Sequence, residues 1–173
     1  ILHFAIAFNY YNTISETLER HIDVNQQILK DSKYFKKGDT ALHLVKYSDS
    51  TSSLLQQLIN SGADVNTQNS IGNTPIMEWI MDSESICSKD MILFMIKNGA
   101  DLNIKNNNGD NILQIAFKHA GLNKFSTLKD VLKEKNLWKD EYEDKYLDNY
   151  DNDKIEHIYY NHSEPLDDEE GEY

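Results

Sequence analysis

The residues that could do chemistry do not converge on one site. His157 and His162 lie five positions apart among carboxylates, which could hold a metal ion adventitiously, although the acidic composition of that segment is the better explanation. Cys87 is the one cysteine, and one thiolate is too few for a zinc site. The glycine in "NNNGDN", residues 106–111, lacks the pattern of a phosphate-binding loop. We therefore expect no catalytic centre, no cofactor and no metal site.

Charge is divided unequally along the chain. Residues 1–138 hold 15 acidic and 14 basic residues, a net charge of −1, whereas residues 139–173 hold 14 acidic and 3 basic residues, a net charge of −11. A nucleic-acid-binding protein needs a basic stripe, so this balance argues against such a partner. No run of about 18 apolar residues occurs, so we expect no membrane-spanning segment.

The number of cysteines and the amino-acid bias of the chain indicate where in the cell the protein is located. A single cysteine excludes an internal disulfide and suits a reducing compartment, so we expect a cytoplasmic protein. Lysine outnumbers arginine 16 to 1, and asparagine and isoleucine are abundant, which is typical of an AT-rich coding genome. A host cytoplasm is the alternative, for an exported microbial protein or a viral one.

The elements that must position any site are repeated along the chain. The segment "GADVN" at 62–66 returns as "GADLN" at 99–103. Three further segments align on a glycine, at offsets of 34 and 37: "GDTALHLVK" from Gly38, "GNTPIMEWI" from Gly72 and "GDNILQIAF" from Gly109. The opening "ILHFAI" matches "ALHLVK", and "HIDVN" at 21–25 matches "GADVN". The sequence thus holds four copies, of which the first lacks its opening turn.

Each copy is predicted to form a pair of helices. Thr40, Thr74 and Asn111 stand just before apolar-periodic segments, where their side chains can cap a helix. The second helices are predicted for "SLLQQLINS", "DMILFMIKN" and "TLKDVLKEK", whose apolar residues recur at spacings of three and four. Gly62 and Gly99 end two of these helices, where a left-handed residue is needed. Such a pair buries its apolar face only against neighbouring copies, so we expect an all-α solenoid.

These copies resemble the ankyrin repeat family. The family's Thr-Pro-Leu-His-x-Ala motif is matched in part by "TALHLV", "TPIMEW" and "ILHFA", and its "GADVN" signature is nearly intact twice. The resemblance covers residues 1–138, with copies at about 1–35, 36–69, 70–106 and 107–138. It implies stacked helix pairs joined by hairpin-like fingers.

Several positions depart from the family pattern. The resemblance implies structural roles for His3 and His43, which occupy the histidine position of the motif. Met77 and Gln114 replace that histidine in the later copies, which should weaken contacts between copies. Trp79 replaces a small residue and should leave the local packing looser or differently shaped. The predicted connections between helices are long in the third and fourth copies, at "MDSESICSK" and "KHAGLNKFS".

The resemblance implies a binding surface as well. Partners of ankyrin proteins usually contact the fingers and the exposed side of the first helices. By position, this gives Lys36, Lys37, Asp39 and Tyr47 for the first finger, Ser70, Ile71, Asn73 and Met81 for the second, and Asn107, Asn108, Asp110 and Lys118 for the third. The alternative is that these residues are only solvated loops. Ile71 is the most informative, because an exposed apolar side chain at a finger tip has no structural reason to be there.

The first finger is longer than the others. Seven extra residues lie between Asn25 and Gly38, and the segment 26–37 carries four lysines together with Tyr34 and Phe35. The segment is either a binding loop or a disordered elaboration.

The C-terminal segment 139–173 is acidic and rich in tyrosine. Tyr142, Tyr146 and Tyr150 are spaced by four, which predicts a helix that caps the last copy. The final residues are too charged and too poor in apolar side chains to pack, so they form a solubilising end or a recognition peptide.

The sequence as a whole predicts a monomeric, non-catalytic module for protein–protein interaction. The alternative is a targeting or substrate-recruiting domain of a larger enzyme, or a host-directed effector, whose catalytic part lies outside this chain. The partner is expected to be another protein, since nothing favours nucleic acid or a membrane.

Overall fold

The computed structural model describes residues 1–46, 51–82, 88–119 and 121–139. The described residues form helices and no strand, which confirms the all-α class. The helices are α1 (Leu2–Ala7), α2 (Tyr11–Glu19), a short 3-10 helix (Ala41–Leu44), α3 (Thr51–Asn60), α4 (Pro75–Met81), α5 (Lys89–Lys97), α6 (Ile112–His119) and α7 (Gly121–Glu134). Residues Ile1–Leu137 form one compact unit. The predicted capping helix at 142–150 lies outside the described residues.

The helices stack in the order of the copies. The first helices form one row, in which the 3-10 helix packs between α1 and α4, and α4 packs against α6. Three of the second helices pack on a first helix: α2 on α1, α3 on the 3-10 helix and α7 on α6. Helix α7 also packs against α5, the second helix of the preceding copy. The core between the rows is aliphatic, with fully buried side chains such as Leu42, Leu58, Ile80, Met95 and Ile112. Each copy thus buries its apolar face against its neighbours.

Predicted helix caps are present at the starts of the first helices. The Asn111 side-chain oxygen accepts from the Gln114 backbone N–H at 3.1 Å, and Gln114 Oε1 accepts from the Asn111 N–H at 2.9 Å. Thr40 and Thr74 form corresponding capping boxes in their copies. Each box satisfies N–H groups that a helix start otherwise leaves without a partner.

The second copy begins with a single 3-10 turn instead of an α-helix. Trp79 is buried, and its indole N–H donates to the carbonyl oxygen of Leu42 at 3.0 Å. The same carbonyl also accepts from the Val45 N–H at 3.4 Å, which closes the 3-10 turn, and Val45 then adopts an extended conformation. Of the two expected consequences of Trp79, a differently shaped contact is therefore the one found.

The predicted long connection in the fourth copy is wrong. Helix α7 begins at Gly121, so part of the segment "KHAGLNKFS" is helical and only residue 120, outside the described residues, separates α7 from α6. Phe125 is buried together with Leu128, Val131 and Leu132. These spacings continue one helical stripe towards the N-terminus, which extends the helix beyond the predicted segment.

Left-handed residues end the second helices. Gly62 and Gly99 have φ angles of 88° and 89°, as predicted, and His21 and Asn136 hold the corresponding places with φ angles of 50° and 54°. After Gly62, Gly99 and Asn136 the following N–H bonds back to the helix, as from Ala100 to the Met95 carbonyl at 2.9 Å. Among the described residues, this turn thus closes three of the four second helices.

We expect Gly99→Val to lower the free energy of unfolding by about 1 kcal/mol or more, because a β-branched residue is strained at positive φ. A Cβ at Gly99 would meet no atom within 4 Å, so the effect is conformational. Gly99→Asn is the matched control and should lose less, since Asn136 adopts this turn. Urea denaturation followed by tryptophan fluorescence measures both; equal losses would contradict the assignment.

Candidate protein-binding surface

The repeated "GADVN" segment forms a joint between copies. Asn25 Nδ2 donates to the Gly62 carbonyl at 2.8 Å, and the Asp64 N–H donates to Asn25 Oδ1 at 2.8 Å. The same joint recurs between the next two copies, with Asn66, Gly99 and Asp101. Each asparagine thus pairs with the backbone of the following copy, which is why the segment is repeated with its asparagine.

The fingers are joined through their backbones beside glycines. The Ser70 N–H donates to the Lys37 carbonyl at 3.1 Å, and a Cβ on Gly38 would lie 2.5 Å from the Ser70 nitrogen. The next pair of fingers repeats this arrangement: the Asn107 N–H donates to the carbonyl before Gly72 at 3.0 Å, and a Cβ there would lie 2.6 Å from its nitrogen. Only glycine permits this approach.

Asparagines three residues before a finger glycine shape the second and third fingers. Asn69 Oδ1 accepts from the N–H groups of Ile71 and Asn73, at 3.2 and 3.0 Å. Its Nδ2 donates to Asp39 Oδ1 of the preceding finger at 2.9 Å. Asn106 makes the corresponding bonds, including one from its Nδ2 to Asn73 Oδ1 at 3.0 Å. Sequence reasoning missed both residues, although their identical distance from the glycine was visible.

Three predicted binding residues are not exposed. Asp39, Asn73 and Asp110 are at most 5% exposed, so they offer little side-chain surface to a partner. Asp39 and Asn73 are the acceptors for the next finger, and Asp110 accepts from Lys118 Nζ at 2.6 Å. They fix the fingers in place, and burial follows from that role.

Glu78 connects the fingers to the first helices, and the sequence analysis did not single it out. Its Oε1 accepts from Asn69 and Asn73, at 3.0 and 2.9 Å, and its Oε2 accepts from Lys36 Nζ at 2.7 Å. Burial opposes ionisation, but the hydrogen bonds from Lys36 and Asn73 and the Lys36 charge together hold the pKa of Glu78 below its usual value. The carboxylate therefore fixes the Lys36 side chain, which remains half exposed.

The two motif histidines are structural, as the resemblance implied. His43 Nδ1 accepts from the Thr40 N–H at 3.1 Å, which leaves the proton on Nε2 to donate to the Asn73 carbonyl at 3.0 Å. His3 Nε2 bonds the Gln26 carbonyl at 2.8 Å. Burial lowers the pKa of both imidazoles, so they are held neutral.

The other predicted binding residues differ in how they meet solvent. The exposed ones are Lys36, Lys37, Ser70, Ile71, Asn107, Asn108 and Lys118, and Met81 is half-buried. Tyr47 lies outside the described residues. Ile71 is 44% exposed, as expected for a finger tip. Asn107 is more than a solvated tip, because its Nδ2 donates to the Ser70 carbonyl at 3.0 Å.

Backbone hydrogen bonds hold the two ends of the long first finger together. The Ile28 N–H donates to the Asp39 carbonyl at 2.9 Å, and the Gly38 N–H returns a bond to the Ile28 carbonyl at 2.7 Å. Beside it lies a groove of about 590 Å³. Lining residues include Phe8, Tyr34, Lys36, Trp79, Met81 and Asp82. The groove thus brings three predicted residues, Lys36, Asp39 and Met81, to one place.

Among the described residues, no three His, Cys, Asp or Glu side chains gather to hold a metal ion, and no helix could cross a bilayer. Cys87, His157 and His162 lie outside the described residues.

Stacked helix pairs with interlocked fingers define a helical repeat protein. The family model for ankyrin repeats, which holds three copies, matches residues 45–139, more than half of the chain. The chain belongs to the ankyrin repeat family. A search of curated proteins found no match. Ankyrin repeats generally mediate binding between proteins.

Gly72→Ala and Gly109→Ala form a matched pair that tests the joint between fingers. Both glycines have a φ of 79°, but only at Gly72 would the added Cβ meet the next finger. We expect Gly109→Ala to lose about 1 kcal/mol of unfolding free energy through backbone strain. Gly72→Ala should lose about 1–3 kcal/mol more. Equal losses in urea denaturation would show that the fingers do not depend on this contact.

His43 predicts a pH dependence of stability. Because burial lowers its folded pKa below the unfolded value of 6.5, the unfolded chain binds the extra proton between the two values. Its contribution is therefore fully present above about pH 6.5 and is lost as the pH falls towards the folded pKa.

The test compares wild type with His43→Gln, since Gln114 shows that glutamine can accept the same capping bond. Urea denaturation from pH 7.5 to about 5 should give a shallower decline in the variant. His3 titrates in the same direction in both proteins and so cancels in the difference. Parallel declines would contradict a buried neutral His43.

Proposed function

We propose that this chain is a non-catalytic module that binds another protein through its finger tips and the exposed side of its first helices. The observation that carries the proposal is the bonded series of fingers, in which Ser70 and Asn107 donate to the preceding finger. A surface fixed before binding loses little conformational entropy when a partner docks. The fingers therefore suit recognition by a preformed surface.

The exposed residues would make different kinds of contact with the partner. Ile71 supplies an apolar contact at the second tip, and Lys37 and Asn108 supply polar contacts at the first and third. Lys36 and Met81 line the groove behind the fingers. We retain Tyr47 as a candidate from its sequence position. A mixed surface of this kind is typical of interfaces between proteins.

We place the module in the cytoplasm as a monomer, since its single cysteine suits a reducing compartment. The near-neutral body, with a net charge of −1 over residues 1–138, favours a protein over a nucleic acid as partner. The buried side chains of Asp39, Asn73 and Asp110 have hydrogen-bond partners within the fold, so they support the surface from beneath.

Affinity capture from lysate of the source cells, quantified by mass spectrometry, tests the proposal. Proteins enriched by wild type should be lost with Ile71→Arg, because a charge replaces the apolar tip contact. Leu137→Arg is the matched control: Leu137 is 45% exposed, close to the 44% of Ile71, and follows α7 away from the finger tips.

Both variants should keep the wild-type melting temperature, since neither side chain is buried. Loss of partners with Ile71→Arg but not with Leu137→Arg is the expected result. Capture that is unaffected by Ile71→Arg, or absent with wild type, would contradict binding through the finger tips.

A further inference from the structure

Aromatic side chains gather where α1 meets the first finger. The aromatic cluster consists of Phe4, Phe8, Tyr10, Tyr34 and Phe35. Ring centroids lie 4.4 Å apart for Phe4 and Phe8, 5.3 Å for Phe8 and Tyr34, and 6.5 Å for Phe4 and Phe35. The long finger thus lays its two aromatic residues against the helix.

This cluster is not part of the core. Helix α1 turns Leu2, Ala5 and Ile6 inward, where they are buried, and carries Phe4 on its other side, while Phe8 lies directly after its last residue. Four members of the cluster remain 36–57% exposed. A contiguous exposed apolar patch of this kind marks an interaction site, whereas scattered exposed residues would carry no such meaning.

Phe4 also lies next to the proposed binding surface, because its ring centroid is 4.4 Å from that of Phe8. Phe8 and Tyr34 line the groove that Lys36 and Met81 share. The cluster therefore continues the proposed binding surface onto the first copy.

Lysines surround the aromatic cluster. Lys30, Lys33 and Lys37 are exposed, and their ammonium groups form no ion pair with any described residue. Lys33 Nζ lies 5.3 Å from the centroid of the Tyr34 ring. The segment's one acid, Asp31, uses a carboxylate oxygen to accept from the Lys37 N–H at 2.8 Å. The finger therefore presents positive charge beside apolar rings.

We propose that the aromatic cluster and these lysines form the docking site for an acidic segment of a partner protein that carries an aromatic or aliphatic anchor. The proposal rests on the proposed function and names the chemistry of the partner. The anchor packs on the rings and enters the groove, while carboxylates of the segment face the lysines. Aromatic anchors contribute most of the affinity in such interfaces, and charge complementarity sets specificity and association rate.

The neighbouring carboxylates favour an acidic peptide over single-stranded nucleic acid. Aromatic rings beside lysines also suit stacked bases. However, the groove next to the rings is lined by Glu78, Asp82 and Asp39, which repel a continuous phosphate backbone. A peptide can place its uncharged anchor at the groove and its carboxylates over the finger.

A labelled synthetic peptide tests the proposal by fluorescence anisotropy. The probe has aspartate and glutamate residues flanking a central Leu-Phe pair. Two matched peptides separate the contributions: one replaces Leu-Phe by Ser-Ser, and the other replaces every acid by its amide. A labelled oligouridine of similar charge tests the nucleic-acid alternative. We expect only the first peptide to bind well, and more weakly as salt rises.

Protein variants then locate the site. Lys30→Glu combined with Lys33→Glu should raise the Kd of the probe about tenfold and flatten its salt dependence, and Tyr34→Ser should raise the Kd about tenfold. Lys97→Glu, at an exposed lysine of the second-helix row, should leave the Kd unchanged. Melting temperatures verify that each variant is folded.

Several results would overturn the inference. These are equal binding of the Ser-Ser peptide, tighter binding of oligouridine, self-association of the protein that Tyr34→Ser abolishes, or no effect of the finger variants. Its failure is distinguishable from that of the proposed function. Capture from lysate that depends on Ile71 but not on Lys30 and Lys33 would refute the acidic segment alone, whereas absence of any capture would refute the binding module.

Discussion

The close approach of one finger to the next is the constraint on which the rest of the structure depends. Ser70 and Asn107 donate backbone hydrogen bonds to the preceding finger, and Gly38 and Gly72 make room for them. The approach brings asparagine side chains of one finger within reach of acceptors in the previous one. A bulkier residue at either glycine would separate the fingers and leave those buried polar groups unsatisfied, at a cost of about 1–3 kcal/mol each.

Buried hydrogen bonds beneath the finger tips hold the joined fingers in one conformation. Glu78 receives hydrogen bonds from both the second finger and Lys36, and His43 binds the backbone of the third copy at Asn73. Every one of these groups has a partner, which is the condition under which a buried polar network stabilises one conformation. The exposed residues above it, such as Ile71, are therefore held in place by buried neighbours.

Local signals made much of the fold predictable from the sequence. The left-handed turns at Gly62 and Gly99, the cap at Asn111 and the roles of His3 and His43 depend on residues close in sequence or on a motif repeated in register. The burial of Asp39 could not be predicted in this way. Its donor, Asn69, is 30 residues away, and only the geometry of the joined fingers brings them together.

The exposed residues at the finger tips could be predicted from the sequence, but the buried residues that support the fingers could not. Ile71 is exposed as its position implied, whereas Glu78 stood at a position that Leu44 and Phe4 fill in other copies and carried no local signal. The conformation of the first finger could not be predicted from the sequence either, because it depends on hydrogen bonds between Ile28 and Asp39 and on ring contacts with α1. These contacts join segments that the linear pattern treats as separate.

Native-state amide hydrogen exchange, measured by NMR, tests the joined fingers most directly. The amides of Ser70 and Asn107 lie at exposed residues, yet each donates to a neighbouring finger. The account predicts that they exchange slowly, at rates near those of core helix amides. The amide of Leu29, which donates no hydrogen bond within the described residues, should exchange fast. Exchange of Ser70 and Asn107 as fast as that of Leu29 would contradict a preformed binding surface.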